Sequence, residues 1–119
     1  MDERVLGSSG IKVSPVGMGC MGITHAYGEP MPDDEAVKVI REAHGMGYTF
    51  FDTAEGYVGQ RADGTLAHNE DVVGDALRPV RDEVVIATKF GYARTPTGRW
   101  PPTAAPRPYA RPSTEACAA

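Results

Sequence analysis

Hydrophobic and polar positions change period several times along this chain, and each change marks an element. From Ala36 the apolar residues fall at helical spacing, with Ala36, Val37, Val39, Ile40, Ala43 and Met46 along one stripe. Asp33 stands ahead of them as an N-cap, Asp34 and Glu35 place negative charge at the positive end of the helix, and Gly45 and Gly47 stop it. Asn69 is expected to cap a second helix, Glu70 to Leu77, ended by Pro79. Tyr48 to Asp52 is an apolar run that stops on an acid, which predicts a short strand. Val84 to Lys89 is continuously apolar up to its last residues, as a strand covered on both faces should be. Near the start, Val5-Leu6 and Ile11-Lys12-Val13 flank Gly7-Ser8-Ser9-Gly10 and predict a β-hairpin. The small and apolar residues of Pro15 to Gly22 predict a buried strand closely approached by other backbone. Val58 to His68, rich in Gly, Asp and Gln, is expected to be a loop.

The order is hairpin, strand, helix, strand, helix, strand. That alternation predicts an α/β fold of parallel βα units. Three strands and two helices cover both faces of such a sheet poorly, so a further βα unit is expected after Lys89. Instead the composition shifts: residues 96–119 hold six of the ten prolines and no helical or strand period. The expected division is therefore an ordered segment 1–95 and a Pro/Ala-rich, disordered tail 96–119.

Bulk properties narrow the partners. The 119 residues carry a net charge of −4, with no basic footprint for nucleic acid. Met1-Asp2-Glu3-Arg4 opens into polar sequence rather than a signal peptide, and no apolar run approaches the ~20 residues that span a bilayer. Cys20 and Cys117 match no metal or redox spacing. A cytoplasmic protein with neither membrane nor nucleic-acid partners is the expectation.

Candidate chemistry concentrates at Tyr48 to Tyr57, where a strand delivers Asp52 and a Gly-containing turn then delivers Tyr57. Taken singly, Asp52 reads equally as a strand-end cap, Tyr57 as a loop aromatic and Lys89 as a snorkelling strand-end lysine. Gly17, Gly19 and Gly22 spell the dinucleotide fingerprint G-x-G-x-x-G, but Ile23 to Pro32 reads as a loop where that motif needs a helix. His25, His44 and His68 are expected to be solvent-exposed. Glu55, His68 and Glu70 have no recognised metal-ligand spacing.

Phe51-Asp52-Thr53-Ala54-Glu55-Gly56-Tyr57 and Ala87-Thr88-Lys89-Phe90-Gly91 resemble the aldo-keto reductase superfamily. Leu6 to Ser14 resembles its opening hairpin, Gly17 to Gly22 its first barrel strand, and Asn69 to Leu77 its second helix. The resemblance runs from residue 4 to about residue 98. It implies a partial (β/α)8 TIM barrel: the N-terminal β-hairpin, the first three barrel strands and two helices of a fold that typically needs ~250 residues. It also implies NADP(H) as hydride donor, a small aldehyde or ketone as substrate, and Asp52, Tyr57 and Lys89 as catalytic residues. Tyr57 would protonate the carbonyl oxygen, Lys89 would favour its phenolate, and Asp52 would hold Lys89 charged and placed. Gly19, Cys20, Met21 and Asp52 would line the cofactor.

The family's fourth catalytic residue is a histidine at the end of the next strand, and no histidine follows His68. The expectation is thus an inactive, truncated fragment. Its tail is expected to be the family's continuation read in a shifted frame: moving the frame back one base puts a central T in the codons at Tyr109 and Cys117, and at Ser113 if that codon is TCN. All three become apolar, four residues apart as on one helix face. Two other functional classes fit the same residues: a non-catalytic cofactor-sensing or channel-associated subunit, and a truncated product with no function.

Overall fold

A computed structural model describes residues 2–90; the tail 96–119, its boundary at residue 95 and Gly91 lie outside the described residues. The opening hairpin forms from β1 (Arg4–Val5) and β2 (Lys12–Val13), paired antiparallel. Leu6 and Ile11, expected within the strands, instead close the turn, the Leu6 N–H donating to the Ile11 carbonyl at 2.9 Å. Gly7 and Gly10 take φ of +54° and +76° there, which side chains rarely adopt. The hairpin is tied to the sheet by a reciprocal pair: Ser14 N–H donates to Thr49 Oγ1 at 2.7 Å, and Thr49 N–H to Ser14 Oγ at 3.0 Å.

β3 (Met18–Gly19), β4 (Phe50–Asp52) and β7 (Val85–Ala87) make one parallel sheet in the order β3-β4-β7. Between them run α1 (Met21–Thr24), α2 (Asp33–Gly45), a hairpin of β5 (Val58–Gln60) and β6 (Leu66–His68), and α3 (Asn69–Leu77). A 3-10 segment, Arg78–Glu83, then leads to β7. The core lies between the sheet and the two longer helices, where Phe51, Ile40, Ala36, Val73, Ala76 and Leu77 are fully buried. Burying each large apolar side chain there stabilises the fold by roughly 1.5–3 kcal/mol. Arg41 of α2 adds a polar link, donating from Nε to the Ala76 carbonyl at 3.0 Å and from Nη2 to the Asp75 carbonyl at 3.2 Å. These carbonyls lie in the last turn of α3, at the negative end of the helix dipole.

Several expectations need correction. The segment 58–68 is a β-hairpin, not a loop: Asp63 Oδ1 accepts from the Thr65 N–H at 2.9 Å and Gly64 turns at φ +86°. Its strands are too short to display a period of two. The stretch Pro15 to Gly22 forms only a two-residue strand, and one turn of helix, α1, takes Met21 and Gly22 from its end and Ile23 and Thr24 from the expected loop. Asp33 and Asn69 are the first helical residues rather than caps; Pro32 and His68 occupy the cap positions. β7 is half-buried rather than covered on both faces, because it is an edge strand among the described residues.

Candidate active site

Parallel register brings three strand ends level. Gly19 pairs with Asp52, and Asp52 with Ala87, so Gly19, Asp52 and the residues after Ala87 share the C-terminal edge of the sheet. Lys89 reaches back across that edge. Its Nζ donates to Asp52 Oδ1 at 2.6 Å and to the Thr53 carbonyl at 2.8 Å. The same Nζ lies 4.9 Å from the centroid of the Tyr57 ring, within cation–π range. The side chains of Asp52 and Lys89 keep 45% and 37% of their surface exposed, so a ligand can approach the pair.

Burial is the largest single influence on the Lys89 ammonium and works against it. The hydrogen bond to Asp52, the neighbouring Tyr57 side chain and the Asp52 charge together outweigh it, raising the lysine above its ordinary range. Beneath the pair lies Cys20, fully buried. Burial first, then the negative charge of Asp52, push its thiol up to about 11. At pH 8 that leaves roughly 200-fold less thiolate than an ordinary cysteine at ~8.5 carries. Iodoacetamide is therefore expected to modify Cys20 at least about 100-fold more slowly in the folded chain than in urea. Peptide mapping by mass spectrometry separates it from Cys117, and equal rates would contradict the burial.

Tyr57 is held by its backbone. Its N–H donates to the Ala54 carbonyl, while its own carbonyl accepts from Thr24 Oγ1 and from the Asn69 N–H, all at 3.0 Å. Its ring stacks on His25, centroids 6.2 Å apart and planes at 14°. The carbonyl of Val58 lies 2.9 Å from His25 Nδ1, which assigns the proton to that nitrogen. His25 and His68 are exposed, but His44 is half-buried, with Nε2 3.2 Å from Glu83, and this corrects the expectation for it.

Of the remaining sequence candidates, Gly19 is exposed with open space above its α-carbon, and Met21 is half-buried beside it. Cys20 forms the floor: its N–H donates to the Asp52 carbonyl at 2.9 Å and its carbonyl accepts from Asn69 Nδ2 at 2.8 Å. Gly22 falls inside α1, whose single turn ends at Thr24, so the glycine pattern opens no long helix. Among the described residues no cluster of His, Cys, Asp or Glu is placed to hold a metal ion, and no helix is long and apolar enough to cross a membrane.

No motif in the sequence marks Thr24, Thr53 and Asn69, each about 1% exposed, as the polar residues behind the site. One signal was available. Thr53 is two residues from Phe51, so it shares Phe51's buried face and requires a hydrogen-bond partner there.

The family model described as "Aldo/keto reductase family" matches residues 15–116. The chain belongs to the aldo-keto reductase family. It is 46% identical over 89 residues to the soybean (Glycine max) protein named "Probable aldo-keto reductase 1", a match covering 74% of this chain and 24% of that one. Among solved structures, the holo form of an aldo-keto reductase from Bacillus halodurans is 32% identical, with a TM-score of 0.62 over 83% of this chain and 28% of that one. A thermostable aldo-keto reductase solved with the inhibitor epalrestat is also 32% identical, with a TM-score of 0.56 over 74% of this chain and 30% of that one. This family member thus has an α/β fold similar to aldo-keto reductase barrels. It spans about a quarter of the length of the curated relative it matches.

Proposed function

We propose that this chain carries the acid–base corner of an NADP-dependent aldo-keto reductase, with Tyr57 as general acid and Lys89 and Asp52 as its support. The observation that carries the reading is the position of Lys89 Nζ, bonded to Asp52 Oδ1 at 2.6 Å and 4.9 Å from the centre of the Tyr57 ring. On this reading β1 and β2 are the barrel's capping hairpin, and β3, β4 and β7 are its first three strands, with α2 and α3 between them. Active sites of such barrels lie at the C-terminal strand ends.

The residues present fit a nicotinamide dinucleotide. Gly19 offers backbone with open space above it, and the half-exposed carboxylate of Asp52 can accept from a ribose hydroxyl. Gly19, Cys20, Met21 and Asp52 are the proposed contacts, Cys20 as the buried floor. When bound, the cofactor supplies a hydride to the carbonyl carbon of an aldehyde or ketone. The chain's part is the proton. Tyr57 gives its phenolic hydrogen to the carbonyl oxygen as negative charge develops there. The adjacent Lys89 ammonium offsets the negative charge left on the Tyr57 oxygen. Asp52 keeps that ammonium charged and in place. We expect the 119-residue chain alone to be inactive, since no histidine follows His68 to supply the family's remaining catalytic group.

NADPH binding, followed by nicotinamide fluorescence, tests the reading in this chain and in any longer protein that contains it. Asp52→Asn is expected to weaken binding about tenfold, the value of one charged hydrogen bond at ~1.5 kcal/mol. Turnover of small aldehydes and ketones is expected only in the longer protein. Absence of binding in both would overturn the proposal, and binding without turnover in the longer protein would favour a non-catalytic, cofactor-sensing role.

A further inference from the structure

Asn69 opens α3, yet its side chain caps none of the helix's N–H groups. It turns inward instead and is 1% exposed. Its Nδ2 donates to the Cys20 carbonyl at 2.8 Å and to Thr24 Oγ1 at 2.8 Å, while Oδ1 accepts from Thr53 Oγ1 at 2.6 Å. The orientation of the amide follows from its partners. The Cys20 carbonyl can only accept, so Nδ2 must face it. Thr24 has one hydroxyl hydrogen and gives it to the Tyr57 carbonyl at 3.0 Å, so it accepts from Asn69. Both amide hydrogens and the oxygen are used.

These bonds join particular places. Cys20 follows the end of β3, and Thr53 follows Asp52 at the end of β4. Tyr57 is held twice, once through Thr24 and once by the Asn69 N–H at 3.0 Å. One residue therefore ties two strand ends to the backbone that carries the Tyr57 phenol. The bonded partners lie 49, 45 and 16 residues away in sequence, so the contacts are tertiary rather than local capping.

We propose that Asn69, acting through Thr24 and Thr53, is a positioning residue that sets the placement of Tyr57 against the Asp52–Lys89 pair. The proposal rests on the functional reading above. A purely structural Asn69 would lower stability when replaced and leave the folded site unchanged. Asn69→Asp separates the two roles: it is nearly isosteric, but it puts an acceptor oxygen where Nδ2 donated to the Cys20 carbonyl and Thr24 Oγ1.

The readout is the ring-current shift that the Tyr57 ring imposes on the Lys89 ε-methylene protons, measured by NMR on the 119-residue chain. Tyr57→Leu defines the part of the shift owed to that ring. In Asn69→Asp the ring-current part is expected to fall to half or less, with unfolding still cooperative. Thr24→Val removes the hydroxyl that donates to the Tyr57 carbonyl and accepts from Asn69 Nδ2, leaves the other two Asn69 side-chain bonds in place, and is expected to give a smaller loss in the same direction. An undiminished shift in either folded variant overturns the positioning role. If Tyr57→Leu leaves the Lys89 shift unchanged, the Lys89–Tyr57 contact itself fails, and with it the functional reading and this role together.

Discussion

Replacing Lys89 by methionine is expected to lower carbonyl reduction by about 100- to 10,000-fold in the protein that carries this chain, the usual span for loss of acid–base assistance. Methionine keeps most of the aliphatic stem and removes the charge. Asp52 then faces the Tyr57 ring without the ammonium between them, and nothing favours the phenolate once its proton has left. The loss should fall on kcat more than on NADPH affinity, because the proposed cofactor contacts remain. The pH dependence has a definite sign. Lys89 is held above its ordinary range, so its ammonium supports the site fully below ~10.4, the usual lysine value, and is lost as pH rises through the higher folded value. The same pair contributes to stability over the same window and stops doing so above it. Burial opposes the ammonium, and the Asp52 hydrogen bond is the first influence that raises it; Asp52→Asn should move the alkaline limb of the rate profile to lower pH. Undiminished kcat/KM in Lys89→Met would remove Lys89 from the mechanism.

Gly59→Ala is expected to destabilise the chain by about 1–3 kcal/mol, the range for overpacking a filled site, and to displace Tyr57 as well. A β-carbon on Gly59 would collide with the backbone carbonyl oxygen of Thr24 and fall 2.7 Å from Pro30 Cγ. The Thr24 oxygen cannot rotate aside, since it belongs to the last residue of α1. The β5–β6 hairpin must lift instead, against its ties from Arg61 to Asp33 and from the Ala62 N–H to Glu29 Oε1 at 3.2 Å. Tyr57 immediately precedes β5, so its two carbonyl hydrogen bonds would stretch with the hairpin. Urea unfolding with an unchanged m-value and a lower midpoint, together with shifted Tyr57 resonances, is the expected result. A midpoint equal to wild type would show that the hairpin accommodates the methyl.

The close fit at Gly59 also explains what the sequence concealed. Val58-Gly59-Gln60 carries no alternation of apolar and polar residues, because its middle position is reserved for contact with the α1 backbone rather than for a side chain. The hairpin therefore has the sequence pattern of a loop. By contrast, α2 was legible by its apolar stripe, α3 by the cap and stop signals of Asn69 and Pro79, and β4 as an apolar run that stops on an acid. Asp52, Tyr57 and Lys89 were visible as strand-end and turn residues, and the structure brings them together. Asn69 was visible only as a helix-capping residue type, and its inward turn overrides that local preference.

By itself the sequence determined the kind and order of the main elements, the parallel βα arrangement and the family. Those properties rest on local periodicity and on short motifs whose residues are neighbours in the chain. Only the tertiary structure decided which groups meet. The pairing of Asp52 with Ala87 places Lys89 across from Asp52, and the buried amide of Asn69 reaches residues from Cys20 to Thr53. Such contacts depend on sheet register and on satisfying polar groups inside the core, and neither leaves a periodic trace along the chain.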